Sequence, residues 1–580
     1  MWVGAALIVA CWLVNLLVVS PAGNFPLNDD WIYSESVQHL LQTGQFHLLG
    51  CSPACFLHVA IGAAAAALFG FSHEHLRVLT CVLGLGTSLL FYGLLLHVGV
   101  RRAVASLASL LLAVNPLFVH LSYSFMTDVP ALFFAMLSMF MMASGLKRNS
   151  AAFVAASGTA LCAAILVRQT FAAFALVPIA LLLFDRQRSN SFRLSLVVFG
   201  LLAPIAVAAL AEQCMSRGND FIAAYSWYKS QFAATVKHLA LSPVQGGATL
   251  CERTFQIFCY FGLFCLPLVP FIVKTVGSPT NPLGSPASSL LRSWWAPFTL
   301  AAVIAVPSFV HTVFFEHRLM PFSDNLLRIP MIGPINLMGI CIAGLKTRQK
   351  MWITCVGGVL ALILMAALIR WVTDALASLR SGGREPASSG LPPAATMNVL
   401  AGAFLVAGLG TVVVQTIVLD YDRYYLMALP AVLICLSLLI NRAHGKLLWT
   451  VSAVLCAGLA FYSTIACQDY MSWNQARWHA IAELERVGVP PLQIDGGPEY
   501  NYLANPSLVR ACQLSAAGYV ITNRGTKPYC DWRWWPISGE RFLIAFNEVP
   551  GYNVVARTSF FGALTWSRRQ ILTLKREDRK

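Results

Sequence analysis

From residue 1 to about residue 466 the chain alternates apolar runs with polar gaps. Few folds are open to such a chain. In hydrocarbon every backbone N–H and C=O must be bonded within the protein, and continuous apolar runs near 20 residues meet that demand as helices. Composition agrees: 57% of residues are hydrophobic, 11% are charged and the mean hydropathy is +0.67. This is the balance of a polytopic membrane protein.

The formal charge of +15 would suit a nucleic-acid partner. The basic residues, however, fall in small groups between apolar runs: Arg101 with Arg102, Lys147 with Arg148, the stretch 186–193, Lys346 with Arg348 and Lys350, and Arg442 with Lys446. That is the positive-inside pattern and not a phosphate-tracking stripe, so no nucleic acid is expected. The acids Asp29, Asp30, Asp128, Glu316, Asp324, Asp420 and Asp422 occupy the other gaps. One side of the membrane is therefore basic and the other holds the acids. The first run lacks a basic leader and reads as a retained span.

Charge sidedness and length give spans at 1–20, 76–98, 103–120, 129–145, 151–167, 170–184, 194–212, 255–274, 295–314, 351–372, 400–419, 425–440 and 447–466. The predicted fold is a polytopic α-helical protein of about 13 transmembrane helices. The short, Ala-rich run 56–70 is expected not to cross, because crossing would put Arg101 outside and Asp128 inside. The run 329–344, with Pro330 and Pro334, is also left out of the crossings. Its omission places Asp422 on the side of Asp29, but it also leaves Lys346, Arg348 and Lys350 there, against the charge rule. The external loop 213–253 is polar and aromatic, and Trp227, Tyr228 and Lys229 suggest an interfacial helix. A Ser-, Gly- and Pro-rich loop is expected at 377–393.

The first external loop, 21–75, carries Asn28, Asp29, Asp30 and Trp31. Tyr33, Val37, Leu40 and Leu41 recur at helical spacing, which predicts an amphipathic surface helix over 29–42, capped by Asn28 and ended by Gly44. Two acids at a helix start can simply complement its dipole. They can also be a catalytic pair, and spacing alone does not separate the two.

Sixteen cysteines are present. Nine sit in apolar runs as small buried hydrophobes. Cys51, Cys55, Cys214, Cys251, Cys467, Cys512 and Cys530 are in loops, where an oxidising compartment would allow some to pair. No Cys/His spacing suits a structural zinc.

Beyond Cys467 the composition changes. An amphipathic helix is predicted over 472–487 with a stop at Gly488, followed by strands at 492–495, 518–522, 541–546, 552–560 and 570–575. The expected organisation is a transmembrane unit, 1–466, and a small soluble α/β domain, 467–580.

Four motifs share an order along the chain. An acidic pair, Asp29 and Asp30, follows the first span. Met126-Thr127-Asp128-Val129-Pro130 leads into a later one, and Val167-Arg168-Gln169-Thr170 closes the next. Asp422-Arg423-Tyr424-Tyr425-Leu426, with Pro430, opens a late span. Together they resemble the GT-C superfamily of membrane glycosyltransferases, and within it the branch of protein O-mannosyltransferases, the lipid A aminoarabinose transferase and lipopolysaccharide glycosyltransferases. The resemblance covers roughly 1–440, and the tail looks like the external domain many such enzymes carry. Where relatives often have Lys-Pro-Pro after the surface helix, this chain has Cys51-Ser52-Pro53-Ala54-Cys55.

The resemblance implies an enzyme that transfers a hexosyl or pentosyl group from a polyprenyl-phosphate donor to a lipid, glycan or protein acceptor, usually with inversion. It implies a multi-pass protein of the bacterial inner membrane, with site and C-terminal domain outside. Such chemistry needs a carboxylate to take the acceptor's proton and cations to hold the leaving phosphate. Asp29 is the expected base and Asp30 its partner, orienting substrate or assisting the base. Asp128 would bind the acceptor, or a divalent cation where one is used. Arg168 and Arg423 would hold the phosphate, for which a guanidinium fork is suited.

Structural roles compete with each assignment. Asp128 can cap a span, Arg168 can reach for the interface, and Arg423 can pair with Asp420 or Asp422. Tyr424 and Tyr425 suit an aromatic belt. His311, Glu316, His317 and Arg318 form a polar group at a span end that could meet lipid phosphate or a metal, and Lys229 could line the acceptor path. The rival functions are a transporter or lipid flippase, which calls for internal repeats and mid-membrane charges, and a non-catalytic membrane scaffold.

Overall fold

The computed structural model describes residues 2–48, 55–185, 188–217, 222–276, 295–323, 325–380, 394–504 and 541–577. Each of the thirteen predicted spans is helical. Seven helices are long and apolar enough to cross a membrane alone, and nine crossings result if each of two bent pairs counts as one span. Trp2–Val18, Ala151–Val167, Gln169–Phe184 and Leu429–Leu439 are apolar but shorter than 18 residues. The protein is thus a polytopic helical membrane protein, with seven to nine crossings by length among the described residues. Outward residues such as Leu17, Val303, Val454 and Phe461 are exposed, as a lipid-facing surface requires.

Local chemistry explains the breaks. Arg102–Ala113 and Pro116–Ser122 meet at 58°. Asn115 stands between them and caps the second helix, accepting from the backbone N–H of Leu117 and Phe118. Pro116 then takes the first helical position, where its missing N–H costs nothing. The run 329–344 forms no helix. It begins in a hairpin of β1 (Leu327–Arg328) and β2 (Met331–Ile332). The polar loop 213–253 is largely helical, within Ile222–Leu241 and the start of Pro243–Phe264. Of the predicted loop 377–393, the first residues belong to the helix Thr347–Arg380 and 381–393 lie outside the described residues.

The helix predicted at 472–487 is not separate. It is the far end of one 41-residue helix, Lys446–Arg486, that also contains the last span. At 1.5 Å per residue this helix is about 60 Å long, twice the hydrocarbon thickness, so one rod both crosses and projects. Against its far end packs a sheet of order β3-β4-β6-β5, with β3 (Ile494–Asp495), β4 (Phe542–Ala545), β5 (Tyr552–Gly562) and β6 (Ser567–Arg576). β3 and β4 are parallel and the other pairs antiparallel. The strand predicted at 518–522 lies outside the described residues, as do Cys51, Cys512 and Cys530. Among the described residues, Cys214, Cys251 and Cys467 form no disulfide.

Side-chain contacts sort the loops into two ends. At one, the Arg101 guanidinium donates to the Ala443 carbonyl (2.7 Å), Lys274 donates to the His444 carbonyl, and Arg188 donates to the Leu146 carbonyl (2.8 Å). At the other gather Asp29, Phe125, Arg168, Leu326, Asp422 and Glu499, through the contacts described below. The charge pattern had divided the loops the same way. Lys346, Arg348 and Lys350 are the exception it anticipated: Met320 N donates to Thr354 Oγ at 2.9 Å, which fixes the start of Thr347–Arg380 at the acidic end.

Candidate active site

The surface helix runs Asp30–Thr43, one residue later than its pattern suggests. Gly44 ends it in a left-handed conformation, φ 70°, donating its N–H to Leu40 O. Asn28 is not the cap. It has φ 58°, and Asp29 takes the cap position without a side-chain cap bond. The two acids are therefore not dipole partners of this helix alone. Successive residues at a turn point apart, and they do so here.

Asp30 is buried, 2% exposed. Its Oδ1 accepts from Leu27 N at 2.6 Å and its Oδ2 from Phe125 N at 3.1 Å. Burial pushes its carboxyl up to about 7, against the opposing pull of Arg77 and the two N–H donors. Such a group holds two loops together and presents no free face. Asp29 is different. Its side chain is 49% exposed, and Oδ2 lies 3.2 Å from Arg423 Nη1. Of the adjacent pair, Asp29 is the carboxylate open to solvent.

Arg423 stands in the short helix Asp422–Met427. Its guanidinium lies 5.1 Å from the Tyr421 ring centre and 5.7 Å from that of Tyr424. Arg168 approaches the Tyr424 ring at 5.0 Å and forms a buried ion pair with Asp128. Tyr424 is thus a shared wall between two guanidinium groups and not a free belt aromatic. Asp128 begins the helix Asp128–Arg148, and Arg168 follows Ala151–Val167. These antiparallel helices pack along their length, which brings the pair together. Asp128 Oδ2 and Arg423 Nε are buried and have no hydrogen-bond partner among the described residues.

Neither Asp420 nor Asp422 makes an ion pair with Arg423 among the described contacts. Asp422 is fully buried and accepts from Leu326 N at 3.1 Å and Leu327 N at 2.7 Å, anchoring β1. Burial pushes it up to about 7, although those donors oppose the shift. Asp420 Oδ2 accepts from Arg253 Nη1 (2.7 Å) and Arg318 Nη2 (2.9 Å). Arg318 is therefore engaged by protein. His317 is exposed with φ 53°. The side chain of Lys229 lies outside the described residues.

Glu252, His311 and Glu316 bring one ligand atom each within 4.8 Å of one another. Mixed carboxylate and imidazole donors could hold a divalent cation. Glu252 was missed by sequence reasoning because it lies 59 positions from His311 and on another helix. Asp128, the earlier metal candidate, is already neutralised by Arg168 and belongs to no such group among the described residues.

Arg77 was missed too. It is fully buried and donates to the carbonyls of Pro21, Gly23 (3.2 Å) and Phe25 (2.8 Å), shaping the approach to Asp29. A lone arginine in the apolar helix His73–His97 was the available signal.

Residues 62–214 match the family model "Dolichyl-phosphate-mannose-protein mannosyltransferase". That quarter of the chain holds Asp128 and Arg168 but not Asp29, Asp30 or Arg423, and it bears out the resemblance to the GT-C superfamily. No curated protein sequence matches the chain. Among solved structures, the chain is similar to ArnT from Cupriavidus metallidurans bound to undecaprenyl phosphate, at 14% identity over 98% of this chain and 97% of that one, TM-score 0.40. It is similar to the oligosaccharyltransferase AglB from Archaeoglobus fulgidus, in complex with an inhibitory peptide and a dolichol-phosphate, at 14% identity over 84% of this chain and 59% of that one, TM-score 0.39. The S. cerevisiae Pmt1-Pmt2 complex bound to the sugar donor matches at 18% identity over 36% of this chain and 33% of that one, TM-score 0.30.

Proposed function

We propose that the protein is an integral-membrane glycosyltransferase that moves a sugar from a polyprenyl-phosphate donor to an acceptor hydroxyl, with inversion. The observation that carries this is the half-exposed Asp29 carboxylate against Arg423, beside the buried Asp128–Arg168 pair. The family-model match over Asp128 and Arg168 supports the same reading.

Asp29 takes the acceptor's proton as its oxygen attacks the anomeric carbon. The bond from that carbon to the phosphate oxygen breaks, and polyprenyl phosphate leaves with the electron pair. Arg423, and Arg168 beside it, meet the charge that grows on the phosphate. In the unliganded site Arg423 holds Asp29. The donor phosphodiester, singly charged like the carboxylate, competes for the same guanidinium through its two non-bridging oxygens, and so releases the base when the donor is bound. Asp128, with one oxygen unpartnered, accepts from the acceptor or from the sugar. Asp30 assists by holding the loop that carries Asp29.

The acidic end and the C-terminal domain are assigned to the extracytoplasmic face of a bacterial inner membrane, on the basic residues of the opposite end. Lipids co-purifying with wild type and with Arg423→Ala, read by mass spectrometry, test the donor. A polyprenyl phosphate, free or glycosylated, carried by wild type and depleted in the variant supports it. Equal lipid in both shifts the weight to a transporter or scaffold.

A further inference from the structure

The loop carrying Asp29 has a second support, from the far end of the chain. Glu499 lies in the short helix Pro498–Ala504 and is 2% exposed. Its Oε1 accepts from the backbone N–H of Asn28 at 3.1 Å and from Asn336 Nδ2 at 2.5 Å. Its Oε2 accepts from Arg477 Nη2 at 2.8 Å. Arg477, fully buried on the projecting helix, also donates Nε to the Gly496 carbonyl at 2.7 Å. The arrangement is tight: a Cβ on Gly497, φ +92°, would stand 2.7 Å from Arg477 Nη2.

We infer that Glu499 is a positioning residue for the transfer reaction, through which the C-terminal domain fixes the backbone immediately before Asp29. This rests on Asp29 being the reactive carboxylate. The physical case has three parts. Asn28 is held at φ 58°, a conformation that costs an L-residue energy unless its surroundings impose it. The Asn28 N–H lies among buried groups, and Glu499 is the acceptor that satisfies it. Glu499 in turn tolerates burial because Arg477 neutralises it. A second contact joins the same two segments: the rings of Trp31 and Tyr502 stack at 4.6 Å between centres. The domain thus touches the loop on both sides of the acidic pair.

Removing one partner of a buried ion pair can unfold the region for reasons unrelated to Asn28. The test therefore uses two double variants of the full chain that both delete the charges. Glu499→Gln with Arg477→Met keeps an oxygen for Asn28 N–H. Glu499→Leu with Arg477→Met does not. Hydrogen exchange of the peptide around Asn28 should be about tenfold faster in the Leu pair, the effect of a lost hydrogen bond of roughly 1.4 kcal/mol. Transfer from polyprenyl-phosphate-mannose, used as the donor probe in native membrane vesicles, should fall in kcat on the order of tenfold to a hundredfold with the donor KM unchanged. Equal exchange and equal kcat in the two pairs would overturn the inference. So would an unprotected Asn28 amide in the wild-type protein, a measurement no folding defect can confuse. Asp29→Asn is run alongside: full transfer by that variant refutes the reading of Asp29, whereas the exchange result judges the contact by itself.

Discussion

Two clusters of arginine and acid share one end of this protein, and they differ in how charge is matched. Around Asp29 the pairing is one to one: Asp29 with Arg423, and Asp128 with Arg168. Each pair keeps an atom or a face unspent, the exposed side of Asp29, Asp128 Oδ2 and Arg423 Nε. Around Asp420 one carboxylate receives two guanidinium groups, and Arg318 is further tied to the Phe322 carbonyl. Asp422, next to it, spends both oxygens on backbone N–H groups. In the proposed reaction the first cluster exchanges partners, whereas the second holds β1 and neighbouring helix ends in place. Residue type does not distinguish them; spare valence and access do.

Substitutions should separate the clusters. The largest effect is expected from Asp29→Asn, which removes the proposed base and leaves the shape. Transfer should fall by roughly 10²–10⁴ with thermal stability unchanged. Retained transfer by folded variant protein would end the assignment. If Arg423 holds the donor phosphate as proposed, Arg423→Ala should cost on the order of 10²–10³ in kcat, with loss of bound lipid, because such a cation acts on the transition state. A variant that loses stability and keeps turnover would place Arg423 in the structural cluster instead. Asp420→Ala should behave in the reverse sense. It removes the acceptor shared by two partly buried guanidinium groups, which keep their bonds to Phe322 O and Gln256 Oε1, so the protein should lose about 1–2 kcal/mol of stability while turnover falls less than in the Arg423 variant. Turnover lost without any drop in melting temperature would break the comparison.

The smallest effect is one of pH. Asp30 and Asp422, one near each cluster, are both pushed up to about 7 by burial. Between the ordinary aspartate value, about 4, and 7 the folded protein keeps protons that the unfolded chain has released. Their contribution to stability is therefore complete below about pH 4 and is lost as pH rises through about 7. Melting temperature measured from pH 4 to 8 should decline, and Asp30→Asn or Asp422→Asn should each flatten part of the slope. Asn in place of either residue also sets an amide NH2 against a backbone N–H, so both variants should start lower. An unaltered slope in both variants would mean that other groups set the pH dependence.

Much of this was open to reading in the chain itself. Apolar runs with charge confined to the gaps dictate helices across a membrane, because hydrocarbon offers a backbone no other partner. The sidedness of lysine and arginine grouped Asp29, Asp128 and Arg168 at one end, whereas Arg423 joins them only when 329–344 is left out of the crossings, against the charge rule at Lys346, Arg348 and Lys350. What sequence could not decide was which carboxylate is free. Asp29 and Asp30 are adjacent and identical, and only the approach of Leu27 N, Phe125 N and Arg423 makes one a structural tie and the other a reachable acid. Composition likewise suggested a break near Cys467, where a single helix continues, since polar residues on a projecting helix and on a separate one look the same. The contact of Glu499 with Asn28 spans 471 positions and carries no local pattern. Periodicity and charge are properties of neighbours along the chain, whereas the burial and hydrogen bonding that set each group's chemistry are properties of neighbours in space.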